Sequence, residues 1–259
     1  MSKIADAFAG GKAFIAYLMA GDPNLKVSAE YILAVQEAGA DLIEIGIPFS
    51  DPIAEGKVIQ EASIRALAAG ARLDNIFEML ASLQGKIKVT LVFMTYLNPV
   101  LFYGYEKFFQ HCRDVGVCGI IIPDLPFEEQ QEVKEPASKY GVEVITLVAP
   151  TSGERVEKIG KDAEGFIYLV SSLGVTGVRN EVAKDISARV KEIRAVTDIP
   201  VAVGFGISTE QQAAWYSQHA DGVIVGSALV GLIAEHGTQA HETLEKYVSR
   251  MKKAVQAGI

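Results

Sequence analysis

The sequence contains only two cysteines, and the spacing of Cys112 and Cys118 matches neither a metal site nor a redox motif. We therefore predict two reduced thiols in the core of a cytoplasmic protein. No apolar run reaches the roughly 18 to 20 residues that a membrane-spanning helix needs, and the N-terminal segment is too amphipathic for a signal peptide. Basic residues number 24 against 32 acidic ones, and the resulting net charge of −8 argues against a nucleic-acid partner. An anionic substrate would have to be held by local features of the fold.

The chain of 259 residues alternates short β-rich runs with amphipathic helical segments. Because 49% of its residues are hydrophobic, it can bury a large core. We predict a single domain over residues 1–259, an α/β fold of the (β/α)8 TIM-barrel type with an extra N-terminal helix. An open doubly wound sheet is the alternative. The eight predicted strands cover residues 14–19, 41–47, 88–94, 119–123, 143–148, 166–170, 200–203 and 222–225.

One stretch, from Asp41 to Glu55, concentrates the unusual features of the chain. Its first part is apolar and mostly β-branched, as in a strand that is covered on both faces. Glu44 interrupts this run, and a carboxylate at such a position is costly unless it is paired, protonated or catalytic. Pro48 and Pro52 end the regular structure, and Glu55 follows on the adjoining loop. A buried acid near a strand end and a second acid on the next loop predict an acid–base pair.

Glycine-rich loops follow the last three predicted strands and indicate a phosphate site. In barrels, active sites lie where strands end, and phosphate sites recur at the loops after the seventh and eighth strands. Glycine lets backbone N–H groups approach an anion closely, and a helix N-terminus adds a favourable dipole. The candidates are the loops Gly174-Val175-Thr176-Gly177, Gly204-Phe205-Gly206 and Gly226-Ser227, together with Tyr96, Asp124 and Tyr168 near strand ends.

Each candidate also has a structural interpretation. Glu44 could be a carboxylate satisfied by backbone donors, and Glu55 could be a solvated loop acid. Gly204 and Gly206 could serve only to avoid steric clashes with neighbouring residues. Single tyrosines are more often packing residues than substrate contacts. The four histidines lie on or near predicted helices, and no spacing of His, Cys or acidic residues predicts a metal.

Taken together, the motifs resemble those of the tryptophan synthase alpha subunit family. Residues 44–52 read EIGIPFSDP, which is similar to the signature of that family. Supporting matches occur in the family's order along nearly the whole chain, at residues 20–23, 123–126, 174–177, 204–208 and 226–228. The resemblance implies a TIM barrel that cleaves indole-3-glycerol phosphate to indole and glyceraldehyde 3-phosphate, a retro-aldol reaction of tryptophan biosynthesis.

The resemblance also implies a role for each candidate residue. Glu44 would be the proton shuttle, and Glu55 would hold the indole N–H and stabilise the positive charge that develops on the ring. The phosphate would be bound by Gly177, Phe205, Gly206, Gly226 and Ser227. The substrate pocket would be lined by Tyr17, Tyr96, Tyr168 and Thr176.

A partner is implied as well, namely a beta subunit in an alpha-beta-beta-alpha assembly, with Asp51 and Pro52 at the interface. The chain itself would need no cofactor and no metal, because pyridoxal phosphate is expected only in the beta subunit. Two alternatives stay open from the sequence. The chain could be a weakly catalytic barrel that mainly activates the beta subunit, or a stand-alone lyase for indole-3-glycerol phosphate.

The chain departs from the family at the loop acid, where the family usually has Asp-Gly-Pro and this chain has Glu55-Gly56-Lys57. Glu55 keeps the charge but adds a methylene, and a misplacement near 1 Å can cost a large factor in rate. Lys57 removes a rigid proline and adds a cation that could compete for Glu55. We therefore expect low activity from the isolated chain and activation when a partner orders the loop.

This expectation is tested by comparing the chain with its Glu55→Asp variant, each alone and with a beta subunit. We expect the shorter acid to raise the turnover of the isolated chain, because it restores the geometry usual in the family. The measurement is indole release from indole-3-glycerol phosphate. Equal and high turnover in all four assays would contradict the hypothesis.

Overall fold

The computed structural model describes residues 3–149, 152–153, 155–170, 179–204 and 206–258, without the side chains of Lys3 and of residues 179–185. Within this part of the chain, one parallel sheet of nine strands forms the centre, in the order β5-β4-β3-β2-β1-β9-β8-β7-β6. The strands are β1 (Ala13–Met19), β2 (Leu42–Gly46), β3 (Thr90–Met94), β4 (Val117–Ile121), β5 (Glu143–Ile145), β6 (Leu147–Val148), β7 (Ile167–Val170), β8 (Val201–Gly204) and β9 (Gly222–Val225).

The two ends of this sheet are consecutive in the chain, and this closes the barrel. Only Thr146 separates β5 from β6. β5 pairs with β4, β6 pairs with β7, and the Thr146 carbonyl accepts a hydrogen bond from the Tyr168 N–H at 3.0 Å. Residues 143–148 therefore act as one interrupted strand that joins both edges. The predicted eight-stranded barrel is confirmed, and the open sheet is wrong.

Helices surround the barrel and alternate with its strands. The helices in the described residues are α1 (Lys3–Ala9), α2 (Leu25–Glu37), α3 (Lys57–Ala68), α4 (Leu73–Ala81), α5 (Leu97–Tyr103), α6 (Tyr105–Val115), α7 (Gln130–Lys139), α8 (Arg155–Asp162), α9 (Arg179–Arg194), α10 (Glu210–Ser217), α11 (Ser227–His236) and α12 (His241–Ala257). No helix in this part of the chain is both long and apolar enough to cross a membrane. Cys112 and Cys118 are buried in the core, as predicted.

Two helices contain a proline. A proline inside a helix removes a backbone hydrogen bond and often ends or kinks the helix, but α7 continues through Pro136 to Lys139. The proline is buried beside Val133 and Ala137, and this packing offsets the lost backbone hydrogen bond. The short helix α5 was not predicted. It has Pro99 in its first turn, where a backbone N–H would have no acceptor within the helix, so proline costs no helical hydrogen bond there.

The N-terminal helix α1 covers the barrel end opposite the site described below. Ile4 is fully buried, and a Cβ added to Gly119 or Gly165 would lie within 3 Å of its Cδ1. Phe8 packs against Phe166 with ring centroids 5.8 Å apart. The predicted extra N-terminal helix is therefore confirmed, and its apolar face fills space that two glycines leave open.

Two tyrosines fill the barrel interior near the carboxyl ends of the strands, each over a glycine. A Cβ on Gly46 would lie 2.7 Å from Cζ of Tyr17, and a Cβ on Gly204 would lie 2.7 Å from Cζ of Tyr168. The glycines thus provide the room for the rings. The Tyr17 ring runs from β1 toward β2, so its hydroxyl lies over Gly46, two residues beyond Glu44 toward the rim.

We expect Gly46→Ala to lower the free energy of unfolding by about 1–3 kcal/mol, because the methyl group overlaps the buried Tyr17 ring. Urea unfolding measures the change. The matched control is Gly231→Ala in α11, where nothing lies within 4 Å of the added carbon. Alanine in this helix should stabilise the protein slightly. Equal stability of Gly46→Ala and wild type would contradict the packing described here.

Candidate active site

A cavity opens at the carboxyl ends of the strands, and its walls enclose about 520 Å³ of empty space, including solvent at the opening. Seven of the residues predicted for the site line it, although they come from distant parts of the chain. These are Tyr17, Glu44, Glu55, Tyr168, Gly206, Gly226 and Ser227. The rest of its wall is Ala54, Gly56, Ile59, Met94 and Ile224.

Glu44 lies in the middle of β2, with Tyr17 of β1 and Val92 of β3 as its register neighbours. Its side chain is buried, and its Oε2 has no hydrogen-bond partner among the described residues. Burial, and then the nearby charge of Glu55, raise the pKa of Glu44 to about 8. The carboxyl group is therefore protonated at neutral pH and faces the cavity as an acid.

Glu55 reaches the same cavity from the loop between β2 and α3. Burial raises its pKa to about 7, and its Oε2 also lacks a partner among the described residues. Because like charges repel, the two acids lose their protons in sequence. Glu55 ionises first, and its charge then holds the proton on Glu44. Lys57 does not compete for Glu55, since its Nζ lies 3.7 Å from Glu61 and its side chain is 87% exposed.

Main-chain groups form another wall of the cavity. Gly206 has a φ of 73°, a left-handed conformation that suits glycine. Gly226 precedes the ten-residue helix α11, and Ser227 is its first residue. The unpaired N–H groups and the dipole of a helix start favour an anion at this wall. Strand β1, with Tyr17, separates this wall from Glu44 on β2.

Three predicted site residues, Thr176, Gly177 and Phe205, lie outside the described residues. Tyr96 is described, but it does not reach the cavity wall. Its hydroxyl oxygen accepts hydrogen bonds from the N–H groups of Ile53 and Ala54, so the tyrosine lies behind the Glu55 loop. Asp124 likewise has a structural contact, because its Oδ1 accepts a hydrogen bond from the Leu97 N–H at the start of α5.

The two residues predicted for the partner interface lie outside the cavity. Asp51 is exposed and Pro52 is half-buried. The next residue, Ile53, is 79% exposed, and Phe102 on α5 is 93% exposed.

Sequence reasoning missed the apolar residues of the cavity. Met94 ends β3, so its place at a strand end was a usable signal. Ile59 comes from the first turn of α3, and only the path of the preceding loop brings it to the wall. A second cavity of about 1480 Å³ shares Ala54, Glu55, Gly56 and Met94 with the first. The Glu55 loop therefore borders both cavities.

Comparison with known proteins agrees with this geometry. The sequence profile of the tryptophan synthase alpha chain matches residues 5–257. The chain belongs to the tryptophan synthase alpha chain family. It is 46% identical over 257 residues to the tryptophan synthase alpha chain of Lacticaseibacillus casei, covering 99% of this chain and 97% of the relative. The predicted family, and with it the prediction of a lyase of tryptophan biosynthesis, is confirmed.

Solved structures of tryptophan synthase extend the match to the fold. The alpha subunit from Legionella pneumophila superposes with a TM-score of 0.90 at 34% identity, covering 99% of both chains. A structure of Mycobacterium tuberculosis tryptophan synthase gives a TM-score of 0.88 at 36% identity, covering 98% of both chains. The match extends over nearly the whole length of each chain.

For this member of the family we expect stability to fall as the pH rises from about 5 to 8. Folding raises the pKa of Glu44 from 4.5 to about 8, so the folded state binds a proton that the unfolded state has lost in this range. The contribution of Glu44 to stability is thus fully present below its unfolded pKa of 4.5 and is lost as the pH rises through its folded pKa of about 8. Replacement by Gln removes this loss, which is on the order of 3 kcal/mol between pH 5 and 8.

The measurement is urea unfolding at both pH values. The free energy of unfolding of Glu44→Gln should fall less than that of wild type. The exposed Glu37→Gln variant on α2 serves as the control and should follow wild type. Parallel pH curves for wild type and Glu44→Gln would show that the buried carboxyl group is not protonated at neutral pH.

Proposed function

We propose that this chain cleaves indole-3-glycerol phosphate to indole and glyceraldehyde 3-phosphate, with Glu44 as the proton shuttle and Glu55 as the anion that binds the indole N–H. One observation carries the proposal. The buried Glu44 and the half-buried Glu55 face one cavity with different pKa values, and each has an oxygen without a partner among the described residues. Membership in the tryptophan synthase alpha chain family supports the substrate.

The reaction needs a proton on carbon and a stabilised cation, and the two acids divide these tasks. Between about pH 7 and 8, Glu44 carries a proton and Glu55 a negative charge. Glu44 protonates C3 of the indole, and Glu55 stabilises the positive charge that this places on the ring. The Glu44 carboxylate then takes the proton of the glycerol hydroxyl next to C3. The C–C bond breaks, the aldehyde forms, and Glu44 ends protonated as it began.

The phosphate of the substrate would lie at the start of α11, against Gly206, Gly226 and Ser227. We propose that Gly177 and Phe205 also bind the phosphate. Because the net charge of the chain is −8, the anion has to be attracted by local main-chain dipoles. Tyr17 and Tyr168 would line the pocket between phosphate and acids, together with Thr176. The chain uses neither a metal nor a cofactor of its own in this mechanism.

A beta subunit is the partner that family membership implies. We place its contact at Asp51 and Pro52, because the neighbouring Ile53 is 79% exposed and a partner would cover this apolar side chain. The assembly would be alpha-beta-beta-alpha in the cytoplasm, with pyridoxal phosphate in the beta subunit. The full-length match to alpha chains does not favour the two alternatives, an activating barrel with weak activity and a stand-alone lyase.

Indole release from indole-3-glycerol phosphate tests the proposal. We expect Glu44→Gln to lower kcat by about 10²- to 10⁴-fold, because the amide can neither give nor take the proton. The pH dependence of kcat/KM should be bell-shaped, with limbs near the pKa values of about 7 for Glu55 and about 8 for Glu44. Activity rises as Glu55 ionises and falls as Glu44 loses its proton.

The exposed Glu37→Gln variant is again the control and should keep the wild-type rate. Indole release that survives Glu44→Gln would remove Glu44 from its role. Full activity without a beta subunit would favour the stand-alone lyase. Stimulation of a beta subunit by a chain that releases no indole itself would favour the activator.

A further inference from the structure

The loop that carries Glu55 has no regular structure over the ten residues from Ile47 to Gly56. Its place therefore depends on hydrogen bonds from its backbone to side chains elsewhere in the fold. Glu55 also has one more rotatable bond than an aspartate at this position would have, so its carboxylate is well placed only if its backbone is held firmly.

Tyr96 contacts the loop immediately before Glu55. It follows β3, is 2% exposed, and its hydroxyl oxygen accepts hydrogen bonds from the N–H groups of Ile53 at 3.1 Å and Ala54 at 2.9 Å. Both lone pairs of the oxygen are used. The ring packs on Phe49 of the same loop, with centroids 5.3 Å apart. One buried side chain therefore satisfies two successive backbone donors of the loop.

The position of Tyr96 is itself fixed by the barrel. Tyr96 caps the start of α5, and the next N–H, that of Leu97, donates a hydrogen bond to Asp124 at 2.9 Å. Asp124 follows β4, so the phenol is tied to two neighbouring strands of the barrel. A rigid aromatic side chain on such a support can define the position of a loop more closely than a flexible one can.

A second side chain holds the loop at Glu55 itself. The Gln60 Nε2 donates a hydrogen bond to the Glu55 carbonyl at 2.8 Å. Tyr96 on one side and Gln60 on the other thus hold the segment Ala54–Gly56, which lines both cavities. We propose that Tyr96 is a positioning residue for the cleavage reaction, acting through the Glu55 loop. This inference rests on the proposed function.

The test is Tyr96→Phe, which keeps the ring and removes only the acceptor oxygen. Two loop N–H groups lose their partner, so the loop is expected to move and Glu55 to be better solvated. We expect kcat/KM to fall ten- to hundredfold, mainly through kcat, and the acid limb of the pH profile to shift to lower pH. The amides of residues 53 and 54 should exchange hydrogen faster than in wild type.

A double-mutant cycle with Glu55→Gln separates positioning from a general loss of structure. If Tyr96 acts through Glu55, adding Tyr96→Phe to Glu55→Gln should lower the rate less than twofold further. The matched control is Tyr103→Phe on the same helix α5, because its hydroxyl contacts the exposed Asp74 instead of the loop. This variant should stay within twofold of wild type.

Independent losses that multiply in the double variant would overturn the inference, and so would unchanged rate and amide exchange in Tyr96→Phe. If Tyr96→Phe does not fold, Gln60→Met releases the Glu55 carbonyl from the half-buried Gln60 side chain and tests by the same cycle whether the rate needs a held loop. Independent losses in that cycle would likewise overturn the inference. Failure of the proposed function has a different signature. Glu44→Gln would then keep its indole release, while amide exchange without substrate would still report on Tyr96.

Discussion

The repulsion between two carboxyl groups in one buried cavity is the constraint on which the rest of this structure depends. Glu44 and Glu55 both face the cavity, and burial makes the charged form of each costly. The pair resolves the repulsion by titrating in sequence, which leaves an acid and an anion facing the same cavity. General acid catalysis next to a developing cation needs this combination of states.

The barrel maintains this unfavourable pair by making its surroundings rigid. Glu44 is held in a central strand between β1 and β3, where its backbone cannot move toward water. Tyr17 fills the space over Gly46 beside it, and Tyr168 does the same over Gly204 across the interior. Close packing of these rings leaves a cavity only at the strand ends. An anion at the start of α11 would lie one strand beyond Tyr17, within reach of the same cavity.

The second acid comes from a loop, and this difference matters for function. A strand positions Glu44 through its own hydrogen-bonded ladder, whereas Glu55 depends on the side chains of Tyr96 and Gln60. Loops of this kind can change position at lower cost than strands can. The same loop presents Asp51, Pro52 and the exposed Ile53 at the surface, so a protein that binds there could influence Glu55.

The sequence alone was sufficient to predict the barrel, the positions of its eight strands and most of the residues that line the cavity. Strand periodicity and chain order are local properties, and the acid within an apolar run marks Glu44 whatever surrounds it. The sequence could not place Tyr96, because its proximity to a strand end is equally consistent with a cavity wall and with a support behind it. It also left Lys57 as a possible partner of Glu55, although the helix that begins there directs Lys57 toward Glu61. Which side chains support the loop, and which of two acids keeps its proton, depends on distances between residues far apart in sequence, and only the tertiary structure decided these.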